Sequence, residues 1–348
     1  MNDPVPDKPE RRPRYRGTHP RQFGEKYKEH QPDRYTEDVA RVLASGRTPA
    51  GTHRPIMVAE ILAGLAPQPG NLVIDCTLGY GGHAKEILAA IQPGGRLLGL
   101  DVDPLELPKT EKRLRESIAA QESLIVRRSN FAGLFRVVQE VFPEGADLIL
   151  ADLGLSSMQL DDPQRGFTFK LDAPLDMRMN PQHGQSAAAL LSKITESKLA
   201  ALLKENADEP RAIRLSRAIL QVQQKTPIES TRELADVVRD ALSQTDCAED
   251  EAILSVRRVF QALRIAVNDE LGALDSLLNQ IPHCLRPGGR VAVLTFHSGE
   301  DRRVKQAFKA GLAAGVYTSV TDAVIRATPE EQHSNPRSAP AKLRFAVR

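Results

Sequence analysis

Hydrophobic positions divide this chain into two regimes. Up to about residue 52 the sequence is rich in Pro, Arg, Lys and Glu and has few aliphatic side chains before Val39. Such a segment has no stripe to bury, so 1–52 reads as a disordered charged tail with a short helix expected over 36–45. From residue 53 the pattern becomes periodic. A helical stripe covers 58–65, and Pro67 and Gly70 end it. An apolar run at 72–75 is a buried strand leading into Gly79-Tyr80-Gly81-Gly82. Then follow a helix over 83–91, a strand over 96–100 ending at Asp101, a helix over 106–120 and a strand over 123–127. A helix over 131–141 and a strand over 146–151, ending at Asp152, complete the series. Strands alternating with helices at this spacing imply βαβ units and a parallel, doubly wound sheet.

That alternation stops after Asp152. Residues 161–254 carry helical signals only, at 186–191, 196–206, 210–224 and 231–243, the last with Ser230 and Glu233 as a capping box. It resumes with helices over 256–268 and on to about 285, then a strand over 291–296 after Pro287-Gly288-Gly289. Interruption followed by resumption is the mark of an insertion. We therefore expect an α/β domain formed by 53–160 and 255–348, with a helical insertion at 161–254 that recognises substrate.

Composition changes this picture little. In 348 residues, 41% hydrophobic and 26% charged content is ordinary for a globular protein. No stretch approaches the roughly 18 apolar residues of a membrane span, and the first residues lack a signal core, so a cytoplasmic location and no membrane partner are expected. Cys76, Cys247 and Cys284 lie too far apart for a disulfide framework or a CxxC pair, and no metal is expected. A net charge of +2 does not mark a nucleic-acid-binding protein. Any such role must be carried by local sites.

Gly79, Gly81 and Ala84 satisfy G-x-G-x-x-A between a strand and a helix, and Asp101 follows about 20 residues later. Glycines let the backbone approach a ligand, and the acid can accept hydrogen bonds from ribose hydroxyls. This much suits either NAD or S-adenosyl-L-methionine. However, Asp75-Cys76-Thr77-Leu78 separates the strand from the first glycine, which sets Asp75 beside the cofactor, and Asp152 ends a neighbouring strand. Gathered carboxylates favour a sulfonium and an ammonium and repel a pyrophosphate. One aspartate at a strand end is commonly just a cap or turn residue. Three in register at a switch point are better read as a site.

These residues also carry a resemblance. His53-Arg54-Pro55, the run from Asp75 to His83, Asp101-Val102-Asp103, the run from Asp152 to Asp161 and Arg165-Gly166-Phe167-Thr168-Phe169 resemble the bacterial 16S ribosomal RNA cytosine-N4 methyltransferase family. So do Pro174-Leu175-Asp176-Met177-Arg178-Met179, Phe260-Gln261-Ala262-Leu263-Arg264-Ile265 and Phe296-His297-Ser298. The resemblance implies a Rossmann-like methyltransferase domain that binds S-adenosylmethionine through Gly81, Gly82, His83, Asp101, Phe131, Asp152 and Gln159. Asp75 and Gly79 join them from the reading of the loop. The implied substrate is the exocyclic N4 amine of a cytidine in the decoding region of small-subunit ribosomal RNA, in an assembled 30S particle. The chain departs from the family at Gly299, where Leu is usual, at Glu106, where a small residue is common, and at Ala339-Pro340, where a second Arg is usual.

The N4 lone pair of cytosine is delocalised into the ring. Acceptors that hold its two N–H groups favour a pyramidal nitrogen aimed at the methyl carbon, so positioning supplies much of the rate. Asp152 is the first choice of acceptor, followed by Ser156 and Ser157, with His297 at the same edge of the sheet. A cap formed by Ser298 and Asp301 is the equal alternative for the His297 segment. A paired cytosine must be flipped out or met single-stranded. Phe167 and Phe169 suit stacking or a core equally, while Arg165 and Arg178 suit phosphates. Arg211, Arg214 and Arg217 share one helical face, either paired with Glu205, Asp208 and Glu209 or lining an RNA groove. The competing functions are a DNA amino-methyltransferase, which usually carries Ser- or Asp-Pro-Pro-Tyr where this chain has Asp152-Leu153-Gly154-Leu155, and a ribosome-assembly factor without turnover.

Overall fold

A computed structural model describes residues 55–348 except 157, 158, 161 and 244. The tail at 1–52 with its expected helix, His53, Arg54 and the candidate Ser157 lie outside the described residues. Among the described residues the chain builds a seven-stranded sheet in the order β3-β2-β1-β4-β5-β7-β6. These strands are β1 (Leu72–Asp75), β2 (Arg96–Asp101), β3 (Leu124–Arg128), β4 (Ala146–Asp152), β5 (Leu285–Thr295), β6 (Ser319–Val320) and β7 (Lys342–Val347). The first five pair in parallel. Chain order reverses between β1 and β4, so the crevice beyond their carboxyl ends is the switch point where open α/β sheets bind ligands. Asp75 and Asp152 stand at its rim.

Helices cover both faces. Buried side chains of α1 (Val58–Leu65), α2 (Gly82–Ala90) and α3 (Leu107–Ser117) close one face against Val73, Leu97 and Leu150. Those of α4 (Leu134–Val141), α10 (Glu270–Cys284) and α11 (Ser298–Ala313) close the other against Ile74, Leu98 and Ile149. Strands buried on both faces read as the continuous apolar runs seen in the sequence.

The parallel expectation needs a correction at one edge. β7 runs antiparallel to β5 and pairs with β6, with Arg344 opposite Val293. The β7 sequence alternates polar and apolar, but Arg344 is buried, its charge met by Asp301. The register of β5 against β4 also shifts between Ala146↔Leu285 and Leu148↔Arg290. Pro287-Gly288-Gly289 therefore forms an irregularity within β5 where the sequence suggests a turn before it.

The insertion has its own core. It comprises α5 (Ala187–Leu191), α6 (Glu196–Ala207), α7 (Ala212–Gln223), α8 (Thr231–Ser243) and much of α9 (Glu249–Asn268). Val256, Val259, Phe260 and Leu263 of α9 are buried with Leu199, Leu215 and Val238. The boundary expected at 254/255 thus falls inside α9. Its start is set by Glu249, Asp250 and Glu251, which complement the positive end of the helix dipole.

The loop entering the insertion turns at Gly166 with φ +68°, where a Cβ would lie 2.3 Å from the Pro174 carbonyl oxygen. Gly184 has φ +78° but open space around it. Gly184→Ala should cost only the left-handed backbone term, about 1–2 kcal/mol. Gly166→Ala should lose a further 1–3 kcal/mol or so through the collision. Equilibrium unfolding of the two variants checks this; equal losses would contradict the packing described.

Candidate functional site

The loop after β1 is strapped across the switch point. The Cys76 amide donates to the Leu150 carbonyl (2.8 Å) and that of Leu78 to Leu100 (2.8 Å). The Asp152 amide donates to Thr77 Oγ1 (2.7 Å), which ties the end of β4 to this loop. Asp75 accepts from the Thr77 amide (3.0 Å) and Asp101 from the Gly79 amide (2.8 Å). Gly79 and Gly81 have φ +49° and +81°. At Gly81 a Cβ would meet Thr110 Cγ2 at 3.0 Å and Leu114 at 3.1 Å, so α3 seats the loop closely. Thr110 Oγ1 donates to the Gly79 carbonyl (2.6 Å). Phe131 opens a short 3-10 turn after β3, half-buried and capped by Asn130.

The carboxylates gathered here resist ionisation. Burial pushes Asp75 up to about 6, against the Thr77 amide and His83, with Asp152 and Asp101 adding repulsion. Burial and then Glu300 push Asp152 up to about 7. Burial also raises Asp101, opposed by the amides of Asp103 and Gly79. A cleft of this kind gains from a cation. His83, in the first turn of α2, has Nε2 2.9 Å from the Ile56 carbonyl oxygen and Nδ1 3.5 Å from Asp152 Oδ2. Burial lowers its pKa, against the Ile56 hydrogen bond and the charges of Asp75 and Glu331.

Asp103, two residues beyond Asp101, behaves differently. Its Oδ2 accepts from Gln159 Nε2 (2.8 Å) and from Arg165 Nη1 (2.8 Å). Burial works against its charge, but these donors and the Leu105 amide hold it below the usual carboxylate range. The Gln159 amide oxygen accepts from the Ser156 amide (3.1 Å), and Ser156 Oγ accepts from that of Gln159 (3.2 Å). Gln159 is therefore joined to Asp103 and to the loop after β4.

Two substrate residues are corrected. Arg165, expected on a phosphate, is buried on Asp103, and its Nη2 donates to the carbonyls of Met179 (2.7 Å) and Arg178 (3.2 Å). Phe167, for which stacking and a core role stand as equal alternatives, is buried in the insertion core. Phe169 packs edge-on against Phe260. Arg178 is partly exposed and bidentate on Asp176 (2.8 and 2.6 Å). Of the arginine face, Arg211 pairs with Glu251, Arg217 with Glu196, and Arg214 donates to the Ala241 carbonyl. These partners stand in place of the expected Glu205, Asp208 and Glu209.

His297 is corrected as well. It is the N-cap of α11: Nδ1 accepts from the Glu300 amide (3.4 Å), Glu300 answers in a capping box, and Nε2 lies 3.2 Å from Glu300 Oε1. Nδ1 is therefore spent on the cap, while Nε2, close to Glu300 Oε1, makes no hydrogen bond. The cap is also not the Ser298–Asp301 pair. Ser298 Oγ donates to Asp208 of the insertion (2.8 Å), and Asp301 pairs with Arg344 (2.7 Å). Sequence reasoning missed Glu300, Thr77 and the Asp103 network. A Glu three residues after a cap signals Glu300, but His lies outside the common cap residues. Nothing in the spacing links Asp103 to Arg165.

Among the described residues no group of three or more His, Cys, Asp or Glu is poised for a metal, and no helix is long and apolar enough to cross a membrane. The family described as the MraW methylase family matches residues 50–348. The chain is 47% identical over 343 residues to a protein of Lachnoclostridium phytofermentans named ribosomal RNA small subunit methyltransferase H 1, covering 97% of this chain and 93% of that one. It is 46% identical over 345 residues to ribosomal RNA small subunit methyltransferase H 2 of Alkaliphilus metalliredigens, covering 98% of each. Ribosomal RNA small subunit methyltransferase H of Deinococcus deserti is 43% identical over 296 residues, covering 85% of this chain and 93% of its own.

Arg165→Met keeps the aliphatic stem and removes the partner of Asp103. Breaking a buried pair this way costs about 3–5 kcal/mol. The depressed pKa of Asp103 contributes stability that is complete above its unfolded pKa, near 3.9, and lost as pH falls through the folded value. Unfolding curves should therefore separate variant from wild type widely at pH 7 and much less at pH 3. Equal separation at both would contradict the assignment.

Proposed function

The chain belongs to the MraW methylase family, and from that membership we propose that it transfers a methyl group from S-adenosylmethionine to the N4 amine of a cytidine in small-subunit ribosomal RNA. The observation that carries this reading is the group of three carboxylates at the ends of β1, β2 and β4, each pushed up by burial. A cationic sulfonium and ammonium relieve them, and the lack of a Cβ at Gly81 lets the loop that carries the site seat on α3. When bound, the cofactor supplies an electrophilic methyl group on a sulfonium. Asp101 would hold the ribose hydroxyls, Phe131 would lie against the adenine, and Asp75 with the backbone of Gly79, Gly81, Gly82 and His83 would face the charged end. Gln159 closes the pocket from the loop after β4.

Asp152, at the end of β4, keeps 30% of its side chain exposed. Its carboxylate accepts from the N4 amine and aims the lone pair, with Ser156 and Ser157 as further acceptors on the same loop. The target base is flipped out or single-stranded, since a paired amine cannot reach this depth. The helical insertion recognises the RNA, and Arg178 at its entry, partly exposed and paired with Asp176, is the candidate contact for a phosphate. We take the target to lie in the decoding region and the substrate to be an assembled 30S particle, which places the enzyme in the cytoplasm.

Single-turnover methylation of 30S particles and of free 16S RNA, at saturating cofactor, tests the reading. Asp152→Asn puts a donor where an acceptor is needed, so transfer should fall about 10²-fold or more. Because the raised pKa of Asp152 costs stability progressively as pH rises from its unfolded value near 3.9 to about 7, and in full above that, the same variant should melt higher than wild type at pH 8 without cofactor. Wild-type transfer by the variant would remove Asp152 from the reaction. Asp101→Ala should weaken cofactor affinity about tenfold, the loss of one charge-assisted hydrogen bond or more, as read by calorimetry.

A further inference from the structure

Resting on the amine-methylation reading above, we propose that His83 is a positioning residue for the transfer, which with Asp152 forms a one-proton pair that receives the proton released by the amine. The tautomer follows from geometry. His83 Nε2 lies 2.9 Å from the Ile56 carbonyl oxygen. A carbonyl can only accept, so Nε2 carries a proton and, in the neutral ring, Nδ1 presents a lone pair. That lone pair lies 3.5 Å from Asp152 Oδ2, at the outer limit of a hydrogen bond and within reach after a small rotation of the carboxyl group. With no proton, two acceptors face one another in a largely dry site. With one proton the pair is neutral and bridged.

Charge accounting then fits the reaction. Before transfer the sulfonium is positive and the empty pair is negative. The N4 lone pair forms the new N–C bond, the S–C bond breaks with its electrons on sulfur, and one N4 proton passes to the Asp152 carboxylate. Afterwards the sulfur is neutral and so is the pair. The cleft therefore holds the same net charge throughout, which a buried site favours. The ionisable groups facing the pair are Asp75 from β1, Asp101 beyond it on β2, Glu300 with His297 from α11, and Glu331 from α12 (Pro329–Ser334). Apart from His297, which is engaged by Glu300, these groups are acids. They strengthen the hold of the pair on its proton and make a neighbouring cation the means of emptying it.

The test combines a spectroscopic and a kinetic measurement on the full chain. Ring nitrogen NMR of His83 should find Nε2 protonated and Nδ1 bare at pH 8 without cofactor, and the ring should titrate together with the Asp152 carboxyl. His83→Gln keeps an N–H for the Ile56 carbonyl but has no titrating nitrogen toward Asp152. Single-turnover transfer at saturating cofactor, which takes any change in cofactor affinity out of the comparison, should drop about tenfold. Because Asp152 alone holds a proton less tightly than the pair, the acidic limb of the variant's pH–rate profile should move to lower pH. An Nδ1–H tautomer, or an acidic limb at the same pH in both proteins, overturns the proposal. If the variant does not fold, the wild-type NMR result decides. Absence of transfer by the wild type would overturn the functional reading and this proposal together, whereas an active wild type with the wrong tautomer overturns this proposal alone.

Discussion

Burial of like charges at one point governs this structure. A doubly wound sheet opens a crevice where chain order reverses, and this chain sets Asp75 and Asp152 at its rim with Asp101 on the next strand. Three carboxyl groups brought together beneath a glycine loop repel one another and lose hydration. The fold tolerates this because rigid surroundings hold them in place: backbone amides donate to Asp75 and Asp101, and α3 seats the loop. The strain is electrostatic, and a cation relieves it. Stability given up in the cleft is thus linked to the charge of the ligand that binds there.

Beside this cluster stands its opposite. Asp103 is only two residues from Asp101, yet it is fully compensated by Gln159 and Arg165. The same guanidinium holds the carbonyls of Arg178 and Met179, and Asn268 of α9 holds the Met179 amide (2.7 Å) and the Met177 carbonyl (2.7 Å). One buried cation therefore joins the end of β2, the loop after β4 and the entry of the insertion. Neighbouring acids of one short motif serve different ends, one awaiting a ligand and the other fixing the elements around it. A second link joins Asp208 of the insertion to Ser298 and Arg302 of α11.

Much of this was legible in the sequence. The apolar runs of β1 to β4 and the glycine loop between β1 and α2 follow from burial on both faces and from the need for positive φ. The helices α6 and α7 were legible from one buried face, since Leu199, Leu203, Leu215 and Ile219 recur at helical spacing. Strand-end aspartates were legible as candidates because topology fixes where strand ends go. The short β6 and the mixed-polarity β7 were not, because their pairing depends on a buried arginine that only a distant acid makes acceptable.

What the sequence by itself determined, then, is periodicity and local chemistry: which segments bury a face, where the backbone must bend, and which residue types crowd the strand ends. Only the tertiary structure decided which of those residues are free to meet a ligand. Arg165 and His297 have the right chemistry for substrate and stand near the right segments. Asp103 claims the first and Glu300 the second, through contacts 62 and three residues away in the chain. Hydrogen-bonding capacity is finite, and a side chain engaged by a buried partner is no longer available to a ligand. Spacing along a chain cannot reveal that engagement, because it arises only when packing brings the partners together.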